Sequence, residues 1–200
     1  MGHYDDCGID PVKEAHQEKM YNLSNNIIES RAGGKVERCH GVVHIGSYSN
    51  AAHSWGVAML MHYLWPEDFP RLALACLAHD VPERVVGDIP APPLRHLPGL
   101  REGIAGMETL ISHSLGLPNE SDLSEEDHRK LKACDHLELW IWSKEQLFLG
   151  NRFAEECILA LEDAWKTRPL PKEAEDLRKY MTDRDFRPER TGHVIERLMP

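Results

Sequence analysis

Apolar residues along this chain recur mainly at helical spacing, with no strand-like alternation longer than a few residues. Residues 12–31 read as an amphipathic helix stopped by Gly33-Gly34. Residues 35–49 lose the helical period, contain Gly41 and Gly46, and read as a loop. Asn50 is suited to cap a helix that runs to about Leu64 and closes at Trp65-Pro66. Pro70 fits the first turn of a further helix reaching His79-Asp80. Residues 87–99, with Pro90, Pro92, Pro93 and Pro98, form an irregular loop of restricted backbone freedom. Helices follow at about 100–115, 124–149, 151–166, 171–182 and 189–198, the second of these opened by the capping box Ser124-Glu125-Glu126-Asp127. The pattern predicts an all-α protein with an N-terminal helix in residues 1–35 packing on the domain, a helical-bundle core over 36–166, and a polar helical tail over 167–200 that packs loosely.

Three positions break the apolar faces with chemistry. His53 shares a face with Val57, Leu60 and Leu64, and His79 shares one with Leu72, Ala75 and Cys76. A lone histidine on such a face is more often a hydrogen-bonded core residue than a ligand. Asp135 is harder to dismiss. Leu131 and Leu139 flank it at i±4 and Trp142 follows at i+7, so its carboxylate points inward, where an unpaired charge is costly and draws a cation. With Asp80 directly after His79, two imidazoles and two carboxylates converge from three helices. Such a set, without thiolates, suits one catalytic divalent ion of the Mn, Co, Fe, Zn or Mg kind better than a structural zinc. Glu83, one turn beyond His79 and just past Pro82, can approach a bound water as general acid or base; the bland reading is a solvated glutamate at a helix end. Asp88 could read a sugar hydroxyl or cap its turn. Arg38 could bind phosphate bidentately or stand on the surface.

Composition narrows the setting. With 200 residues and 42% hydrophobic content, the chain suffices for one core. No apolar run approaches the roughly 20 residues of a membrane span. The net charge of −10 speaks against binding a nucleic-acid polymer. Five scattered cysteines without a CxxC pair favour a reducing compartment, and the acidic start at Met1 lacks a signal peptide, so a cytoplasmic protein is expected.

Taken together, His53, His79-Asp80 and Asp135 resemble the H…HD…D pattern of the HD-domain metal-dependent phosphohydrolases. The strings Ala52-His53-Ser54, His79 to Pro90 and Ala133-Cys134-Asp135 are similar to the YfbR-type 5′-deoxynucleotidase branch and its phage-encoded and dNTP triphosphohydrolase relatives, over roughly residues 36–152. The resemblance implies His53, His79, Asp80 and Asp135 as metal ligands, Glu83 as acid/base residue, Asp88 as contact to the 3′-hydroxyl, and Arg38 as phosphate contact. It also implies a homodimer or larger assembly, for which Trp140, Ile141 and Phe148 offer surface unless they complete the chain's own core. Where the bacterial nucleotidases carry Trp after that arginine, this chain has Cys39 beside the sugar position; Trp55 could compensate but reads as a core residue. The expected reaction is hydrolysis of a deoxynucleoside monophosphate. The alternatives are a dNTP triphosphohydrolase such as a dATPase, using Arg84, Arg95 and His96 as further cations, a non-catalytic nucleotide-binding module, and a dinuclear site recruiting His96, His113 or His128.

Overall fold

The computed structural model describes residues 11–90, 94 and 96–182. Among them there is no strand, only an isolated antiparallel bridge between Glu37 and Ser49. The helices are α1 (Pro11–Gly33), α2 (Asn50–Leu64), α3 (Phe69–Ala78), the single turn α4 (Glu83–Val86), α5 (Pro98–Ser114), α6 (Glu125–Phe148), α7 (Glu155–Thr167) and α8 (Lys172–Thr182). None is long and apolar enough to cross a membrane. The expected helix over 189–198 and Arg95 lie outside the described residues.

α6 is the axis of the bundle because it is apolar on two sides. Leu131 and Cys134 meet Val57, Ala58 and Met61 of α2 and Leu72 and Cys76 of α3. Ala133, Leu137 and Trp140 meet Ile158, Leu161 and Trp165 of α7 and Ala174 of α8. Trp140 therefore completes the chain's own core, Ile141 packs against it, and only Phe148 is left well exposed. The start of α6 is fixed by Ser124, whose side chain accepts from the Asp127 amide at 3.1 Å. The Asp127 carboxylate takes the Arg71 guanidinium on both oxygens, at 2.5 and 2.8 Å, tying α3 to α6.

Four expectations change. α1 exists, but its apolar residues do not lie on the core: Met20, Tyr21, Ile27 and Ile28 are exposed. It joins the body at its C-terminal end, where Gly33 sits so close to Val81 that a Cβ would fall 2.9 Å from the Val81 backbone. Trp55 is 63% exposed, because α2 buries its Val57–Met61 side and turns residue 55 outward. The tail does not pack loosely as far as residue 182: Ala174 is fully buried and Arg178 lies 5.5 Å from the Trp165 ring. Ser49, and not Asn50, caps α2 by accepting from the Ala52 amide, which releases the Asn50 side chain for the site.

The loop over 35–49 is held like an element of secondary structure. The Arg38 and Asn50 amides donate to Tyr48 O and Val36 O, at 2.8 and 2.9 Å. From α6, the buried Gln146 amide bonds both backbone groups of Ile45, at 2.8 and 2.9 Å, and Asn151 donates to Val43 O at 2.9 Å. Leu137→Ala is expected to cost about 2–5 kcal/mol, as large-to-small changes in a packed core do. Trp55→Ala should stay within about 0.5 kcal/mol of the parent. Urea denaturation of the two variants checks the assignment of core and surface.

Candidate metal centre

The deepest polar group in the bundle is assembled where α2, the end of α3 and α6 meet. His53 is fully buried from α2, and His79, the C-cap of α3, is 9% exposed. His53 Nε2 lies 3.1 Å from Asp135 Oδ1 and 3.5 Å from Asp80 Oδ2, while His79 Nε2 lies 3.1 Å from Asp80 Oδ2. Both Nε2 atoms are buried without a hydrogen-bond partner. Their other nitrogens are engaged: His79 Nδ1 with Cys76 O at 3.0 Å, and His53 Nδ1 with Glu138 Oε2. A backbone carbonyl can only accept, so a neutral His79 carries its hydrogen on Nδ1 and its lone pair on Nε2, and donation from Nδ1 to Glu138 gives His53 the same tautomer.

His53, His79 and Asp80 each offer one ligand atom, all within 4.8 Å of one another, and this is the one such metal-binding group among the described residues. Asp135, the fourth ligand expected from the sequence, stands outside that group but beside it, 3.1 Å from His53 Nε2, and its other oxygen meets Lys132 Nζ at 3.0 Å. Four carboxyl groups (Asp80, Glu83, Asp135, Glu138) crowd against two permanent cations (Arg38, Lys132) here, and even with Glu83 protonated the carboxylates outnumber the cations, an excess that a divalent ion would offset. Orphaned imidazole nitrogens and surplus carboxylate charge fit a divalent ion of mixed N and O ligation. No second metal cluster is formed by the histidines considered for one: His113 pairs with Asp122 at 3.0 Å, His128 with Glu120 at 3.2 Å, and His96 is exposed.

Arg38 is buried, with Nη1 on Asp80 Oδ2, 3.2 Å from Asn50 Oδ1 and 3.8 Å from Glu83 Oε2. Asn50 in turn donates to Glu83 Oε2 at 2.8 Å and to Asp80 O at 3.0 Å. Glu83 is thus set at the first turn of α4 beside the centre. Burial, reinforced by the nearby Asp80 charge, pushes its carboxyl up to about 8. Burial alone would pull His79 down, but Asp80 outweighs it and raises the imidazole to about 9. Asp135 is held well below the usual carboxylate range: burial opposes this, and Lys132 and His53 overcome it.

The remaining predicted residues cluster on the loop. Asp88 Oδ2 accepts from the Cys39 amide at 2.8 Å and lies 3.5 Å from His40 Nδ1, so one of its oxygens joins two loops. Cys39 holds a left-handed backbone, φ 52°, and its thiol pairs with that of Cys157 of α7. Arg84 is half exposed and 4.0 Å from Glu29, away from the centre. Sequence reasoning missed Asn50, Lys132 and Glu138. The signal for the last was available: Asp135, Glu138, Trp142 and Gln146 form one stripe at offsets of three, seven and eleven along α6.

With this geometry in hand, comparison with known proteins is informative about the fold. No protein-family model and no curated protein matches the sequence. Among solved structures, the chain is similar to a cyanophage S-2L HD phosphohydrolase (DatZ) bound to dA and one catalytic Zn²⁺ ion, with a TM-score of 0.63 and 22% identity over 85% of this chain and 96% of that one.

Glu83 gives the site a testable electrostatic signature. In the fold it stays protonated up to about pH 8, whereas in the unfolded chain it ionises near its ordinary value of 4.5. Unfolding therefore releases a proton between those limits, and this group's contribution to stability is lost as pH rises through about 8. Glu83→Gln removes that dependence. Denaturation in the presence of a chelator should show the variant gaining on the parent at about pH 8 and matching it at about pH 4; a constant difference across this range would contradict the assignment. The chain has the all-α fold of an HD phosphohydrolase.

Proposed function

We propose that the protein is a metal-dependent phosphohydrolase of deoxynucleotides, acting as a 5′-deoxynucleotidase that releases phosphate from a deoxynucleoside monophosphate. The observation that carries this reading is the pair of buried, partnerless Nε2 atoms of His53 and His79 facing Asp80, with the protonated Glu83 one turn away. The dA bound to the cyanophage phosphohydrolase of the same fold supports a deoxynucleoside as the organic half of the substrate.

His53, His79, Asp80 and Asp135 would hold one divalent ion, which when bound supplies Lewis-acid polarisation of the phosphoryl group and of the attacking water. Arg38 offers its guanidinium to the phosphate oxygens beside Asp80, offsetting the negative charge that in-line attack builds there. Glu83, kept protonated by burial, donates its proton to O5′ of the leaving nucleoside, and Asn50 fixes the carboxyl for that transfer. Asp88 is placed to accept from the 3′-hydroxyl through the oxygen not spent on the Cys39 amide. Cys39 serves through its backbone by aligning Asp88, while its thiol is directed to Cys157.

A second reading, cleavage of a dNTP with release of triphosphate, is favoured by Lys132. Its ammonium lies at the centre, 3.0 Å from Asp135 and 2.7 Å from Glu120, and adds a cation that a longer phosphate chain could use. A product-resolved screen of dNMPs, NMPs and dNTPs with Mn²⁺, Co²⁺ and Mg²⁺ separates the readings. Free phosphate from dNMPs is expected, triphosphate from dNTPs marks the second, and binding without turnover marks a non-catalytic module. His79→Ala or Asp80→Ala should abolish both metal binding and turnover. Glu83→Gln should retain the metal and lose about 10²–10⁴-fold in rate.

A further inference from the structure

Behind His53, on the side of the ring away from Asp80 and Asp135, the structure places a second carboxylate. Glu138 Oε2 accepts from His53 Nδ1 and from the Tyr48 hydroxyl. Tyr48 is 2% exposed and stacks flat on Trp142, with ring centroids 4.3 Å apart and planes 10° apart. The phenol is thereby fixed between α6 and the loop, its hydroxyl donating to Glu138 and lying 3.2 Å from His53 Nδ1. One turn after His53 on α2 stands Gly56, where a Cβ would fall 2.5 Å from Glu138 Cγ and 2.9 Å from Oε1. A glycine in mid-helix is less favourable than alanine. Here its missing side chain is the opening through which the carboxylate reaches the imidazole.

We propose that Glu138 is the positioning residue of the metal centre: it fixes the His53 ring and its Nδ1–H tautomer so that Nε2 presents a lone pair to the metal, with Tyr48 and Gly56 holding it in place. Glu138 is not itself a ligand, because its engaged oxygen lies on the Nδ1 side of the ring. The two imidazoles are treated differently. His79 is oriented by a neutral peptide carbonyl, Cys76 O at 3.0 Å, and His53 by an anion. A carboxylate partner makes an imidazole the more basic ligand of the two. This inference rests on the metal-site reading above but not on any substrate.

The test is direct binding of Zn²⁺ to the full chain, by competition with a chromophoric chelator. Glu138→Gln and Gly56→Ala should each weaken zinc affinity by about 10–100-fold. Gly56→Ala is the sharper variant, since it removes no polar group, favours the helix, and acts only by displacing Glu138. In the zinc-loaded parent labelled with ¹⁵N-histidine, the His53 Nδ1 proton should appear far downfield and move upfield in both variants. Thermal unfolding in chelator should be near-parental for Gly56→Ala. Parental zinc affinity in both variants, or a His53 ring without an Nδ1 proton in the loaded parent, would overturn the assignment. So would loss of fold and binding together in both, which would make Glu138 part of the scaffold. Failure of the chain to hydrolyse any nucleotide would refute the proposed function and leave these zinc affinities, and the role of Glu138, standing.

Discussion

The cost of burying carboxylates governs this molecule. Asp80, Glu83, Asp135 and Glu138 are drawn into the junction of three helices, and each must be ion-paired, hydrogen-bonded or protonated to remain there. The structure uses all three solutions. Arg38 and Lys132 pair with Asp80 and Asp135, Tyr48 and His53 donate to Glu138, and Glu83 keeps its proton. What remains is a surplus of negative charge directed at two imidazole nitrogens. That residue of imbalance is the chemical capacity of the site.

α6 distributes the consequences. Two of its sides are apolar and complete the two halves of the core, while the stripe of Asp135, Glu138, Trp142 and Gln146 faces the centre and the loop. One rigid element therefore carries a candidate ligand, the carboxylate behind His53, the ring beneath Tyr48 and the amide that clamps Ile45. Because the stripe is interleaved with apolar residues in a helix of 24, polar and apolar positions surround the axis without a simple two-faced pattern.

Much of the architecture was legible in the sequence where a single helix carried its own punctuation. The span of α2 follows from the Ser49-Asn50 start and the Trp65-Pro66 stop, and α6 from Ser124. The approach of His53, His79 and Asp80 could be read because each lies on or beside an apolar face whose burial is forced. What escaped depended on partners far away in sequence. The order of the 35–49 loop comes from Gln146 and Asn151, about a hundred positions later. Trp55 and the apolar residues of α1 have the spacing of core residues but no helix among the described residues covers them. In the tail, small Ala174 lets α8 dock, and nothing in its local polarity announces this. Glu138 shares the inward face of Asp135, but a glutamate has no room beside His53 until the gap left by Gly56 on another helix is seen.

The clamp on the loop has a different character from the centre it serves. Gln146 and Asn151 hold Val43 and Ile45 through neutral amides that neither titrate nor respond to ionic strength in the accessible range. That end of the loop is thus held by electrically indifferent contacts, whereas its other end is held by carboxylates, Glu37 on the Tyr48 amide and Ser47 hydroxyl and Asp88 on the Cys39 amide. Acid or salt can therefore loosen the Glu37 and Asp88 end of the loop while the Val43 and Ile45 end keeps its shape.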